Sequence, residues 1–205
     1  MSKIQVDTID TRSGTSTMQI GSTNTSTITL GVSGDTINVP SGVTFANSGT
    51  ATGFGEANTP SFGVRLSGDQ TVANQTSTKL ALATEDWDTD SAWNTSNYNF
   101  TVPSGKAGKY FFNGHVRILS IWGHDSTSYF SQVQIRKDDS TVAEQRIYDY
   151  SATTKDLDLQ VSKILDLSVG DVIDFRVYHN GAGQQNQNIA SSLSSTWFVG
   201  FKVIT

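Results

Sequence analysis

The sequence predicts an all-β fold whose C-terminal part is a jelly-roll β-sandwich, and three observations predict it. Residues 99–205 run as one apolar–polar alternation after another, the period-two signature of half-buried strands. Within that run, Leu165-Asp166-Leu167 is followed by the turn Ser168-Val169-Gly170-Asp171, by Val172-Ile173, and later by the closing aromatic stretch Thr196-Trp197-Phe198-Val199-Gly200-Phe201. No segment repeats its apolar residues at helical spacing. Sandwiches of this kind more often bind or assemble than catalyse, so the question becomes what the chain touches.

The strands are expected at 61–66, 78–83, 98–102, 110–119, 129–137, 141–150, 157–167, 172–179 and 196–204. Most are rich in Val, Ile, Phe or Tyr, the residues that fit a pleated, half-buried surface. Short strands punctuated by turns over such a length predict a sandwich or barrel. Ahead of them, Gly53, Gly55 and Pro60 frame a small-residue linker.

Residues 2–55 differ in kind. About half of them are Ser, Thr or Gly. Short alternations recur there at Met18-Gln19-Ile20, Ile28-Thr29-Leu30, Ile37-Asn38-Val39 and Val43-Thr44-Phe45. They are separated by turn residues such as Ser33-Gly34-Asp35 and Pro40-Ser41-Gly42. Pieces this short cannot bury a face within one chain. Three chains wound together supply the missing sides, as stacked units do in repeat architectures. The expected organisation is therefore an attachment segment at 1–15, a β-rich interwoven trimeric stalk and linker at 16–59, and a jelly-roll head at 60–205. Ile4, Val6 and Ile9 alternate at the front and are expected to dock as a strand on another protein.

Composition narrows the function. Of 205 residues, 36% are apolar and only 16% charged, against roughly 25% charged in ordinary soluble proteins. The surface is thus covered by Ser, Thr, Asn, Gln and Gly. A net charge of −5 gives no positive field for a phosphate backbone, so no nucleic-acid partner is expected. The absence of cysteine removes disulfides, thiolate metal sites and cysteine nucleophiles. The first residues lack the apolar core of a secretory signal. No apolar run nears the roughly 18 residues of a membrane span. Synthesis in the cytoplasm without membrane insertion is the expectation.

The residues of the globular part resemble the globular head of complement's q-subcomponent and, more broadly, the tumour-necrosis-factor-like jelly rolls. Asp88, Trp93 and Phe100 stand in the order and spacing of that signature. Gly108-Lys109-Tyr110-Phe111-Phe112 resembles its Gly-x-Tyr-x-Phe core, and Leu167-x-x-Gly170-Asp171 with Trp197–Phe201 resembles its last two strands. Leu82 stands where the signature has Phe, and Gly114 where it has an aromatic. The resemblance implies a ten-strand sandwich that assembles as a homotrimer. The front of the chain, Ser2 to Asp10 and Ile37 to Phe45, resembles short tail-fibre proteins of marine tailed phages. Together the two resemblances imply a virion protein on the tail or capsid surface, with a receptor-binding head on a trimeric stalk.

Chemistry-bearing groups are few. His115, His124 and His179 show no metal-ligand spacing. Asp86-Trp87-Asp88-Thr89-Asp90 opens like a calcium loop but has Ser91 and Asn97 where the turn glycine and the bidentate glutamate belong. No Gly-x-Ser-x-Gly elbow is present. No catalytic residue, metal or cofactor is expected, and the protein is expected not to be an enzyme.

Recognition is expected on loops at 120–128, 149–155 and 179–195, which the family's strand order puts at the end of the head distant from the stalk. Trp122, Tyr148 and Tyr150 offer faces for stacking on a sugar. His124, His179, Asn180, Gln184, Gln185 and Asn186 offer donors and acceptors for its hydroxyls. Phe111, Val116, Ile118 and Phe201 are the apolar positions expected to line the sheet used for trimerisation. The expected function is host attachment to a cell-surface glycan or protein. The alternative is a decoration or adaptor protein of the capsid or tail.

Overall fold

A computed structural model describes residues 20, 23, 26–44, 46, 48, 58–121, 130–148, 155–180 and 185–203. The chain divides into two compact units, Met1–Thr52 and Gly53–Thr205.

The described residues of the first unit hold turns and no strand. Val32 and Asp35 close one turn, with the Asp35 amide donating to the Val32 carbonyl at 3.0 Å and the Val32 amide to Asp35 Oδ2 at 2.9 Å. The Val43 amide closes a second turn on Pro40 at 3.2 Å. Gly34 and Gly42 hold the positive φ these turns need. In the single chain no strand is present at 28–30 or 37–39. Three alternating residues have no ladder partner in one chain, and Ile28, Leu30, Ile37 and Val39 stand exposed. The pieces at 18–20 and 43–45 lie partly outside the described residues, and the front segment with Ile4, Val6 and Ile9 lies wholly outside them.

The second unit is all-β among its described residues, with thirteen strands where ten were implied. They are β1 (Ser61–Arg65), β2 (Gln70–Val72), β3 (Thr78–Lys79), β4 (Thr84–Asp88), β5 (Trp93–Asn94), β6 (Asn99–Thr101) and β7 (Gly108–Ile121). The rest are β8 (Phe130–Lys137), β9 (Ser140–Ile147), β10 (Lys155–Leu167), β11 (Val172–Asn180), β12 (Gln187–Ile189) and β13 (Trp197–Lys202). The first sheet runs β2-β12-β7-β13-β1-β4, with β10 on the other edge of β7. The second runs β5-β6-β11-β8-β9, with β3 also on β11. All pairings are antiparallel. From β7 onward the chain crosses repeatedly between the sheets, with β7, β10, β12 and β13 in the first and β8, β9 and β11 in the second.

Alternation decides which side chains meet between the sheets. Tyr110, Phe112, Val116 and Ile118 of β7 point inward, as do Phe62 and Val64 of β1, Phe198 of β13, and Ile173, Phe175 and Val177 of β11. Phe175, Phe198 and Phe112 form a near-parallel stack, with centroids 5.0 and 5.9 Å apart. Each such side chain contributes on the order of 1.5–3 kcal/mol by leaving water. Gly114 and Gly200 sit among these rings. A Cβ on Gly114 would lie 2.5 Å from the Phe175 ring, so the space that an aromatic would need at 114 is already filled.

The Asp88–Trp93–Phe100 signature has a structural meaning. Asp88 accepts the Trp93 amide at 2.8 Å and the Ala92 amide at 3.2 Å. Trp93 Nε1 donates to the Leu82 carbonyl at 3.0 Å. The ring of Trp93 lies 5.0 Å from that of Phe62, which lies 5.2 Å from Phe100.

Candidate functional site

Register places several strand ends together. Ile121 pairs with Lys155, Ser131 with Ile147, and Phe130 with Asn180. The connections after β7, β9 and β11 therefore leave from one end of the sandwich. Ser61, paired with Phe201, and through it Phe111, mark the opposite end.

On the outer face of the second sheet, at that connecting end, an aromatic cluster forms. Ser131, Val133 and Ile135 of β8 turn inward, so Phe130 and Gln132 turn outward. Beside them on β11, Val177 and His179 turn inward and Tyr178 outward. On the other flank Arg146 of β9 pairs with Gln132. The Phe130 ring lies 5.3 Å from Tyr178 at 23° and 5.7 Å from Tyr148, tilted by 56°. The Arg146 guanidinium sits 4.1 Å from the Phe130 ring centroid, a cation–π contact.

Arg146 is held from several sides. Nη2 donates to Gln132 Oε1 at 3.0 Å and Nη1 reaches Tyr148 Oη at 3.5 Å. Glu144 is 3.7 Å away, and Gln132 Nε2 donates to its carboxylate. The Tyr148 hydrogen bond, and then the nearby charges, raise the guanidinium above its ordinary value. Tyr148, 42% exposed, forms the open rim. The result is a surface with ring faces, phenolic oxygens, a fixed donor and a carboxylate acceptor within one small patch.

The expected site residues divide around this patch. Tyr148 belongs to it. His179 does not: it is 1% exposed, in a strand and not at a loop edge, with Nε2 3.3 Å from the Val72 carbonyl. Period-two alternation along β11 turns residues 173, 175, 177 and 179 to the core, which rules out His179 as a surface donor. Asn180 faces outward, its Oδ1 accepting Gln75 Nε2 at 3.1 Å. Gln185 and Asn186 are exposed, but the segment 179–195 is not one loop, because Gln187–Ile189 pairs with β2 and β7. Trp122, His124, Tyr150 and Gln184 lie outside the described residues. Phe130, Gln132, Arg146 and Tyr178 were not expected, although alternation within each strand carried the signal.

The outer face of the first sheet holds a second cluster. Val116 and Ile118, expected on a trimerising face, are wholly buried between the sheets. Phe111 and Phe201 have the opposite parity and face out, their rings 5.4 Å apart. Further along, Trp197 stacks on His115 at 5.8 Å and 16°. His115 Nδ1 lies 2.7 Å from the Ser195 carbonyl and so donates to it, while Nε2 lies 3.4 Å from Asp158. Arg117 grips Asp158 at 2.9 and 3.3 Å, and that carboxylate raises the guanidinium.

The acidic residues are committed to protein partners. Asp86 pairs with Arg65 at 2.9 Å, Asp88 accepts amides, and Asp90 lies 3.6 Å from Lys106. A cleft of about 310 Å³ is lined by Lys79, Asn99, Asp138, Asp139, Val172 and Asp174. Its carboxylates are taken by Arg176, which reaches Asp174 and Asp139, and by Lys79 at 3.2 Å from Asp174. Among the described residues no three His, Cys, Asp or Glu side chains are grouped to hold a metal.

No family model and no curated protein matches the chain. Among solved structures, the globular domain of the zebrafish complement 1qA protein is similar to it over 70% of this chain and 97% of that one, at 16% identity and a TM-score of 0.49.

Proposed function

We propose that the chain is a virion attachment protein, a phage tail fibre that binds a host-surface glycan through a homotrimeric head. The observation that carries the reading is the outer face of the first sheet. Phe111, Phe201, Val199, Trp197 and Ile164 lie on one surface there, and Ile164 is 57% exposed. They form an apolar stripe beside polar neighbours such as Asn113 and Gln160; a stripe of this kind is covered by a partner, and a second and third copy of the same chain supply it. The exposed alternation at Ile28, Leu30, Ile37 and Val39 supports the same reading. Those residues gain burial only when chains wind together.

Assembly through the first sheet leaves the second sheet and the connecting end outward in every protomer. Three weak sites then act at once, and the gain is avidity with no bond made or broken. The front segment docks to other virion proteins, which puts the protein on the particle surface.

Light scattering on the full chain tests assembly, with a mass three times the 22.1 kDa protomer expected. Labelled protein is then applied to a panel of marine bacterial strains. Saturable binding to a subset of strains supports attachment. A monomer, or a trimer that binds purified particles and no cells, overturns it in favour of a decoration or adaptor role.

A further inference from the structure

We propose that the patch formed by Phe130, Tyr148, Tyr178 and Arg146 is a subsite for a neutral pyranose. This deepens the attachment reading and rests on it for its biological setting. The apolar C–H face of a sugar ring stacks on aromatic rings, and its hydroxyls take donors and acceptors at the edges. The patch presents both. Phe130, stacked on Tyr178 at 5.3 Å and covered by Arg146 at 4.1 Å, backs the patch, and the tilted, exposed Tyr148 offers the open ring face. Arg146 and Glu144 supply a donor and an acceptor on the same rim.

Charge selects the class of sugar. Arg146 and Glu144 lie 3.7 Å apart and cancel, so the rim has no net field for a sulfate or uronate. The chain as a whole carries −5, which repels polyanionic glycans. The geometry is also fixed in advance. Arg146 is clamped between the Phe130 face and Gln132, and Gln132 is 3% exposed and bonded to Glu144. A donor already held in place loses little freedom on binding.

The test uses the full-length chain on an array of neutral hexose and deoxyhexose oligosaccharides printed beside sialylated, uronate-bearing and sulfated ones. Binding to neutral glycans is expected, at least tenfold weaker for Tyr148→Ala and for Arg146→Ala. Tyr148→Phe should retain most of it. Melting curves check each fold, and Tyr148→Ala changes an exposed side chain, so it stands as the test if Arg146→Ala fails to fold. Unchanged neutral binding in both alanine variants, or binding confined to acidic glycans, overturns the subsite. If the wild-type chain binds cells but no neutral glycan, the subsite is wrong and attachment stands. If it binds neutral glycans but no cells, attachment is wrong and the subsite stands.

Discussion

Replacing Gly114 by alanine tests the packing of the head at its tightest point. The new methyl would sit 2.5 Å from one atom of the Phe175 ring and 2.8 Å from two more, well inside van der Waals contact. Phe175 has nowhere to retreat. Its other face is stacked on Phe198 at 5.0 Å, and Phe198 is stacked in turn on Phe112. All three rings are essentially inaccessible to solvent. Overpacking of this kind costs roughly 1–3 kcal/mol. For a chain of this size that lowers the melting temperature by about 2–12 °C. Calorimetry on wild type and Gly114→Ala measures it. Gly68→Ala, with nothing within 4 Å of the new methyl, serves as control and should be neutral or slightly stabilising. If Gly114→Ala melts with the wild type, Phe175 does not cover residue 114. The register of β7 against its neighbours would then be wrong.

Asp88→Ala removes the acceptor for the Trp93 and Ala92 amides and should cost about 1.5–3 kcal/mol in urea unfolding, with a shift in Trp93 fluorescence. Tyr110 ionises late, pushed up to about 12 by burial and then by the charge of Asp90. Its folded value lies above the ordinary 10.0, so its share of stability is complete below that pH and is lost as pH rises through the folded value. A tyrosinate absorbance titration should show this late step, and Tyr110→Phe should abolish it. Asp171 is held below the usual carboxylate value, first by its hydrogen bond from Lys137, a contact of 2.6 Å. Its contribution is therefore present at neutral pH and lost as pH falls through the lowered value, and Asp171→Asn should flatten the acid side of the stability profile. Phe201→Ser, on the outer face of the first sheet, should reduce the scattering mass to one protomer while leaving the circular dichroism spectrum unchanged.

The long strands were legible because their alternation runs for eight residues or more. β7, β8, β10 and β11 lie within two residues of the expected bounds at every end. β2, β5 and β12 have two or three residues each, too few to show a period. β4 was hidden for another reason: Glu85, Asp86 and Asp88 make it look like an acidic loop. As an edge strand paired only with β1, it tolerates charges facing solvent. The segment 78–83 erred the other way. Its apolar alternation continues past Lys79, but the Leu82 and Ala83 amides bond to carbonyls two residues back, which leaves the ladder after β3. The patch around Phe130 was out of reach for a plainer reason. Each strand shows which residues face outward, but only the register of β9, β8 and β11 brings Arg146, Gln132 and Tyr178 side by side.

One contact between the sheets bears on how the protein behaves when concentrated. β9 and β10 are each paired on one side only, and the Gln145 Oε1 of β9 accepts the backbone amide of Gln160 in β10 at 2.6 Å. The amide that β10 would otherwise offer to an incoming strand is thus occupied from within the same molecule, and charged Glu144 and Arg146 flank the edge of β9. Bare strand edges are templates for aggregation. Here one amide on the free edge of β10 is capped from within the molecule, which removes one attachment point for an incoming strand when the protein is concentrated.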